Sequence, residues 1–297
     1  MYSLASRSFF PDAPRLTQCV DAPDQMQLQR FELKYLVSEP TARAMRQFVR
    51  CHLRPDEFAV SSPEFSYAVH TLYLDSPDLC LYDATSEGDR NRFKLRVRFY
   101  DDGSEAPAFF EIKRRNNEAI SKLRAKVRRG AVPALLAGEW PQLRHLVKPD
   151  AKQLFALQEF SRRMSRLEAT PRSHVGYDRE AWMSPNDNSM RVTFDRQVQC
   201  EPQFSSRLNA QVAVANVVTP FDSRVICELK FTNRMPNWCG ELVRAFGLVR
   251  GGAAKYAEGV ALMGEHRVSN RGVNLTLATV RDRSASALVQ GHTVPAW

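Results

Sequence analysis

The chain has 297 residues, of which 43% are hydrophobic and 25% charged, and 42 Lys and Arg against 33 Asp and Glu leave a net charge of +9. This length supports a sizeable core in one large domain or one domain with tails, and the basic excess points to an anionic partner such as nucleic acid, phosphate polymer, nucleotide or acidic membrane without choosing among them. No apolar run is long enough to cross a membrane, no apolar segment at the start reads as a secretory signal, and the six scattered cysteines suggest neither a zinc site nor a disulfide framework; reduced thiols fit a cytoplasmic protein.

Residues 1–27, rich in Pro, Asp, Ser and Ala, read as a poorly ordered tail. LQRFELKYLV (28–37) reads as a first strand. Ser38-Glu39-Pro40 then opens a helix to about Leu53, with a hydroxyl cap and a proline in the first turn. Strands follow at 67–75, 91–100, 108–115 and 119–127, separated by turn signals such as Asp101-Asp102-Gly103. Short helices fit 131–138 and 150–167. The second carries Leu154, Phe155, Leu157, Phe160, Met164 and Leu167 at helical spacing. Strands return at 173–182, 190–199 and 223–232, then helices near 236–247 and 255–264, and residues 265–297 read as a second tail. About eight mostly antiparallel strands with inserted helices predict an α+β fold built on a closed barrel, or on two sheets that meet at their edges.

The strands share an unusual pattern. In NRFKLRVRFY (91–100), Arg92, Lys94, Arg96 and Arg98 alternate with Phe93, Leu95, Val97 and Phe99. In AISKLRAKVR, Lys122, Arg124, Lys126 and Arg128 alternate with Leu123, Ala125 and Val127. Glu111 and Lys113, Glu32 and Lys34, and Glu228 and Lys230 likewise share strand faces as E-x-K pairs. Side chains flip at every strand residue, so these charges gather on one sheet face. A solvated outer face is the ordinary reading of one such strand. Several neighbouring cationic strands would repel across their ladders, and that favours an anion held between them. Carboxylates among the cations suit a metal–phosphate complex, in which Mg²⁺ or Mn²⁺ needs oxygen ligands and the phosphate needs cations. Simple charge pairing is the alternative for each Glu.

The ordered motifs R-F-E-L-K-Y (30–35), Y-L-D-S (73–76), K-L-R-V-R-F-Y (94–100), F-E-I-K (110–113), K-L-R (122–124), Y-D-R-E-A (177–181), R-V-T-F-D (191–195), C-E-L-K-F (227–231) and A-K-Y (254–256) resemble the VTC domain. That is the polyphosphate-polymerase domain of the vacuolar transporter chaperone complex, one of the triphosphate tunnel metalloenzymes. The resemblance spans about residues 28–264. It implies an eight-stranded antiparallel β-tunnel, closed as a barrel, with a charged interior and flanking helices. It also implies transfer of the ATP γ-phosphate onto inorganic polyphosphate with Mn²⁺ or Mg²⁺. Carried over by motif, Lys34, Arg96, Arg98, Lys113, Lys122, Arg179, Arg191 and Lys255 would be catalytic. Arg92, Lys94, Arg124, Lys126 and Lys230 would bind substrate phosphates, with Lys122 and Lys126 competing for one family lysine. Glu228 would hold the metal, with Glu32 and Glu111 as further candidates. Ala254 departs from the Ser that many relatives carry before Lys-Tyr.

Competing functions are a tunnel triphosphatase and a non-catalytic polyphosphate-binding module. Nucleic acid is not the expected partner, because the aromatics of 91–99 lie opposite the cations. A membrane-protein partner is compatible with the sequence. Tyr35, Tyr73 and Tyr100 read as core aromatics, with nucleobase contact as the alternative, Asp75 as a turn cap with Ser76, and His70 as structural.

Overall fold

The computed structural model describes residues 30–269 apart from 61, 63, 118 and 186–188. The expected tail at 1–27 lies outside these, as does the expected tail at 265–297 beyond residue 269. Glu265–Arg267 form a 3₁₀ turn, after which Val268 is buried.

Chain order is β1 (Arg30–Val37), α1 (Glu39–Val49), β2 (Arg54–Pro55), β3 (Ser66–Asp75), α2 (Cys80–Ser86), β4 (Asn91–Phe99), β5 (Ala108–Asn116), β6 (Ala119–Val127), α3 (Val132–Leu136), α4 (Ala151–Arg166), β7 (Thr170–Met183), β8 (Met190–Pro202), β9 (Val225–Thr232), α5 (Asn237–Ala245) and α6 (Lys255–Met263). The eight long strands fall where the alternation predicts them. Two helix starts have side-chain caps: Ser38 Oγ accepts from the Thr41 amide at 3.2 Å at the start of α1, and Asp150 Oδ1 from the Gln153 amide at 2.7 Å at the start of α4. The short elements β2 and α2 are additional to the sequence reading.

All nine strands form one antiparallel sheet in the order β1-β9-β8-β7-β3-β4-β5-β6, with β2 paired to β7. The expected closed eight-stranded barrel is therefore corrected: the sheet curls, but no main-chain ladder joins β1 to β6. Loop segments occupy both edges instead. Val127 of β6 bridges to Leu146, and the Lys126 carbonyl accepts from the Val147 amide at 3.0 Å. Tyr35 of β1 bridges to Arg250, and the Lys34 carbonyl accepts from the Gly251 amide at 3.0 Å. With these edge groups satisfied, neither strand uses them to pair with the other.

The curl is nonetheless strong. Lys113 on β5 reaches Glu32 on β1 at 2.9 Å, although five strands lie between them in the sheet order. Apolar residues face outward onto helices. Leu95, Val97, Phe110, Ile112, Ala125 and Val127 pack with Leu157 and Phe160 of α4, while Tyr35, Val192, Phe194, Cys227 and Leu229 pack with Met45 of α1 and Leu242 of α5. Each large side chain so buried contributes about 1.5–3 kcal/mol, enough for the apolar faces to dictate which way the sheet bends. A third cluster joins Tyr73, Val175, Tyr177 and Ile226 to Tyr256 and Val260 of α6.

Candidate active site

With the apolar residues turned outward, the alternating charges line the concave face. Adjacent strands place Lys94 directly opposite Lys113, and Lys113 opposite Lys122. One step along, Arg96, Glu111 and Arg124 form the next row. Across the curl, Lys34 faces Glu228, and Glu228 faces Thr193.

Four carboxylates organise these cations. Glu228 lies 3.1 Å from Lys34, 3.6 Å from Lys255 and 3.7 Å from Arg179, and it also pairs with Lys230. Glu32 joins Lys113 at 2.9 Å and Lys34 at 3.3 Å. Glu111 meets Arg96 at 2.7 Å, Arg124 at 3.2 Å and Lys122 at 3.6 Å. Asp195 takes two 2.7 Å hydrogen bonds from Arg179 and lies 2.6 Å from Lys255. The sequence reading quoted Asp195 within R-V-T-F-D without giving it a role. Its signal was available, since Arg191, Thr193 and Asp195 alternate on one face.

Burial opposes charge throughout this surface, and local pairing decides the outcome. Burial alone would raise the Glu228 carboxyl, but Lys230, Lys34, Lys255 and Arg179 outweigh it and hold the group well below the usual carboxylate range. Glu32 and Glu111 are lowered in the same way, against burial, by Lys113 and Lys34 and by Arg96 and its neighbours. Burial likewise disfavours the Lys34 ammonium, yet Glu228 and Glu32 raise it above the ordinary lysine value. At Lys230 burial prevails over Glu228, with Arg179 adding to it, and the group falls to about 8. Lys94 is pressed well below the ordinary lysine value by burial and then by Lys34, Lys113, Arg96 and Arg92. Its strongest charged neighbours are thus all positive.

Most of the expected site residues come together here. Arg98 hydrogen-bonds the Tyr177 hydroxyl at 3.3 Å, and its Nε is buried without a partner. Arg191 stands apart from Glu228, paired with Asp56 at 2.6 Å and with the Tyr67 hydroxyl at 3.3 Å. Two residues are peripheral. Arg92 donates to the Asp89 carbonyl, and Lys126 is exposed with its amide bound to Gln153. Ala254 is the N-cap of α6 and supplies no side-chain cap. Tyr35 does belong to the outer core. Tyr73 lies on the concave side, where burial and the opposing pull of Arg96 and Arg98 act on its hydroxyl, and it stacks on Tyr256 at 4.9 Å. Asp75 caps as expected and does more: its carboxylate accepts from the amides of Ser76, Leu81 and Tyr82 and from the Tyr256 hydroxyl. His70 is part of a buried His70–His174–Glu201 chain outside the charged face.

Among the described residues no three His, Cys, Asp or Glu side chains gather as a complete metal cage. Glu228 and Glu32 nevertheless converge on the same Lys34 ammonium. One or two carboxylates completed by phosphate oxygens and water is how Mg²⁺-type ions are ordinarily held at phosphate sites, so this donor pair fits such an ion. Glu111 stands apart from this pair on β5, 1% exposed among Arg96, Arg124 and Lys122, with its Oε1 accepting no hydrogen bond.

The sequence model of a family described as the VTC domain matches residues 29–264. Among solved structures, one from Bacillus halodurans with a provisional adenylate cyclase description has a TM-score of 0.42 and 13% identity, covering 76% of this chain and 94% of that one. No curated protein sequence matches the chain. Among the described residues no helix is long and apolar enough to cross a membrane.

Proposed function

Because the chain belongs to the VTC domain family, we propose that its charged concave face binds ATP and transfers the γ-phosphate onto an inorganic polyphosphate chain with a divalent metal, Mn²⁺ or Mg²⁺. The observation that carries this reading is the row Lys94–Lys113–Lys122, three lysines directly across adjacent strands, of which Lys94 has other cations as its strongest charged neighbours. Like charges so placed are destabilising unless an anion lies between them. Phosphate oxygens, several per ligand and all negative, supply that anion.

Phosphoryl transfer asks the protein for position and charge neutralisation more than for covalent help. Lys94 and Arg98 have capacity left for phosphate oxygens; Arg96 flanks them on the same strand face. Arg179 and Lys255, already held by Asp195, form a fixed positive wall that needs no rearrangement as charge develops. Glu228 and Glu32 would hold the divalent ion, which when bound would supply neutralisation of the phosphate charge. The attacking oxygen of a phosphate chain is ionised already, so no side chain is required as base.

Incubation of the purified protein with ATP and Mn²⁺ tests the proposal. ADP together with a long polymer on a polyphosphate-stained gel is the expected result. ADP with free phosphate and no polymer would make the protein a triphosphatase, and polyphosphate binding without turnover would make it a binding module. Glu228→Gln is expected to lower turnover about a hundredfold or more while tripolyphosphate binding persists, since the four cations around position 228 remain. Unaltered turnover would remove Glu228 from the reaction.

A further inference from the structure

The charged rows of the concave face end on aromatic rings at one mouth. On β5 the series Lys113, Glu111 continues to Phe109, which pairs with Arg98 of β4. On β3 the series Tyr73, Thr71, Val69 ends at Tyr67, opposite Arg179. Tyr100, directly after β4, lies between the two, with its ring centroid 6.1 Å from Tyr67 and 5.8 Å from Phe109. Phe58 extends the series, 6.2 Å from Tyr67.

Tyr67 and Tyr100 pack at the margin of the Tyr73–Tyr177–Tyr256 cluster without being fully buried. Tyr67, Tyr100 and Phe109 are half-buried, and Phe58 is 66% exposed. Phe58 is held to the mouth through the cation machinery. Its amide donates to Asp56 Oδ1 at 3.1 Å, and Asp56 also pairs with Arg191, whose guanidinium donates to the Tyr67 hydroxyl. At the other end of the series Arg124 lies over the Phe109 face at 3.7 Å from its centroid, which fixes that ring and leaves Tyr67, Tyr100 and Phe58 to offer π surface. An inorganic phosphate chain has no use for such surface. A ligand with phosphates at one end and a flat aromatic ring at the other uses both halves.

We propose that Phe58, Tyr67 and Tyr100 form a stacking rim for the base of a nucleoside triphosphate that enters phosphates first. The inference rests on the nucleotide reading above and adds where the base sits and how selectively it is read. Ring faces accept any base, so purine triphosphates are used with little discrimination.

The test compares ATP, GTP and tripolyphosphate as ligands of the full chain by calorimetry, for wild type, Phe58→Ala and Tyr100→Leu. Phe58 is exposed, so its truncation leaves the fold in place. The expected result is that both variants lose about five- to a hundredfold in affinity for ATP and for GTP and keep their tripolyphosphate affinity. Phe58→Trp is expected to retain nucleotide affinity. Equal affinities of Phe58→Ala and wild type for ATP, or a parallel loss of tripolyphosphate, would overturn the rim. Wild-type protein that binds none of the three would overturn the functional reading, whereas tripolyphosphate binding with no base effect overturns the rim alone.

Discussion

Lys94 faces Lys113 across the β4–β5 ladder, and its strongest charged neighbours are cations like itself. In the ligand-free protein such a group weakens the fold. Lys94→Gln is therefore expected to leave the melting temperature unchanged or raised while weakening tripolyphosphate binding by about tenfold or more, the worth of one charge-assisted contact. A melting temperature that falls would show that Lys94 has a structural partner. His70 makes a different argument. Burial, with His174 adding to it, brings its pKa from 6.5 down to about 4. The unfolded chain thus binds the extra proton between those values, so this group's contribution is present above 6.5 and is lost as pH falls through about 4. Thermal melts between about pH 7 and pH 4.5 should show a smaller acid-induced drop for His70→Gln than for wild type. Equal drops would mean that His70 does not titrate in this window.

Strand existence was legible because period-two alternation is a local property, and NRFKLRVRFY states it residue by residue. The elements that escaped are those whose causes are distant. The start of α2 has no side-chain cap from Leu79; instead Asp75, at the end of β3, accepts from the amides of Leu81 and Tyr82. Two-residue β2 has no period to read. The docking of α1 depends on Glu180 of β7, which accepts two 2.8 Å hydrogen bonds from Arg46, one of 2.8 Å from Arg196 and one of 2.6 Å from Trp182 Nε1. No spacing in the sequence joins those four. The position of α6 is similarly hidden. Gly259 lies so close to β8 that a Cβ there would meet Cys200 Sγ at 2.7 Å and Cβ at 2.9 Å. Gly259→Ala is expected to push α6 outward, cost about 1–3 kcal/mol in denaturant unfolding, and reduce turnover by displacing Lys255 from Asp195. A variant of wild-type stability would show that the helix can shift without strain.

The assembled sheet explains why the charged face could be foreseen and closure could not. Alternation tells which side chains share a face and the apolar partners tell which face turns outward, but whether two edges meet is decided by competitors for their main-chain groups. Here those competitors are Leu146 and Arg250, neither marked by any motif. The site's membership was largely readable for the same reason as its strands. Its hubs were less so, since Asp195 acquires its partners through the β7–β8 register, which sets Arg179 opposite it, and through the docking of α6, which brings Lys255. A positive surface of this extent should respond to polyanions as a unit. Tripolyphosphate at about a hundred times its dissociation constant is expected to stabilise the protein by about 2.7 kcal/mol, seen as a raised melting temperature, and the rise should shrink with added salt. A rise indifferent to salt would place binding outside the charged face.

The pairing of β1 with β9 has a further consequence, for biosynthesis. The earliest described strand finds its neighbour only in the last one, so on the ribosome it must wait while almost every other strand is made. At about 5–20 residues per second that delay is on the order of ten seconds or more, with an unpaired strand edge presented to the cell meanwhile. Lys34 and Glu228 sit on these two strands and face each other across their ladder. A product that stops before β9 therefore lacks both the ladder partner of β1 and Glu228, and with them the carboxylate assigned above, as a proposal, to the divalent ion.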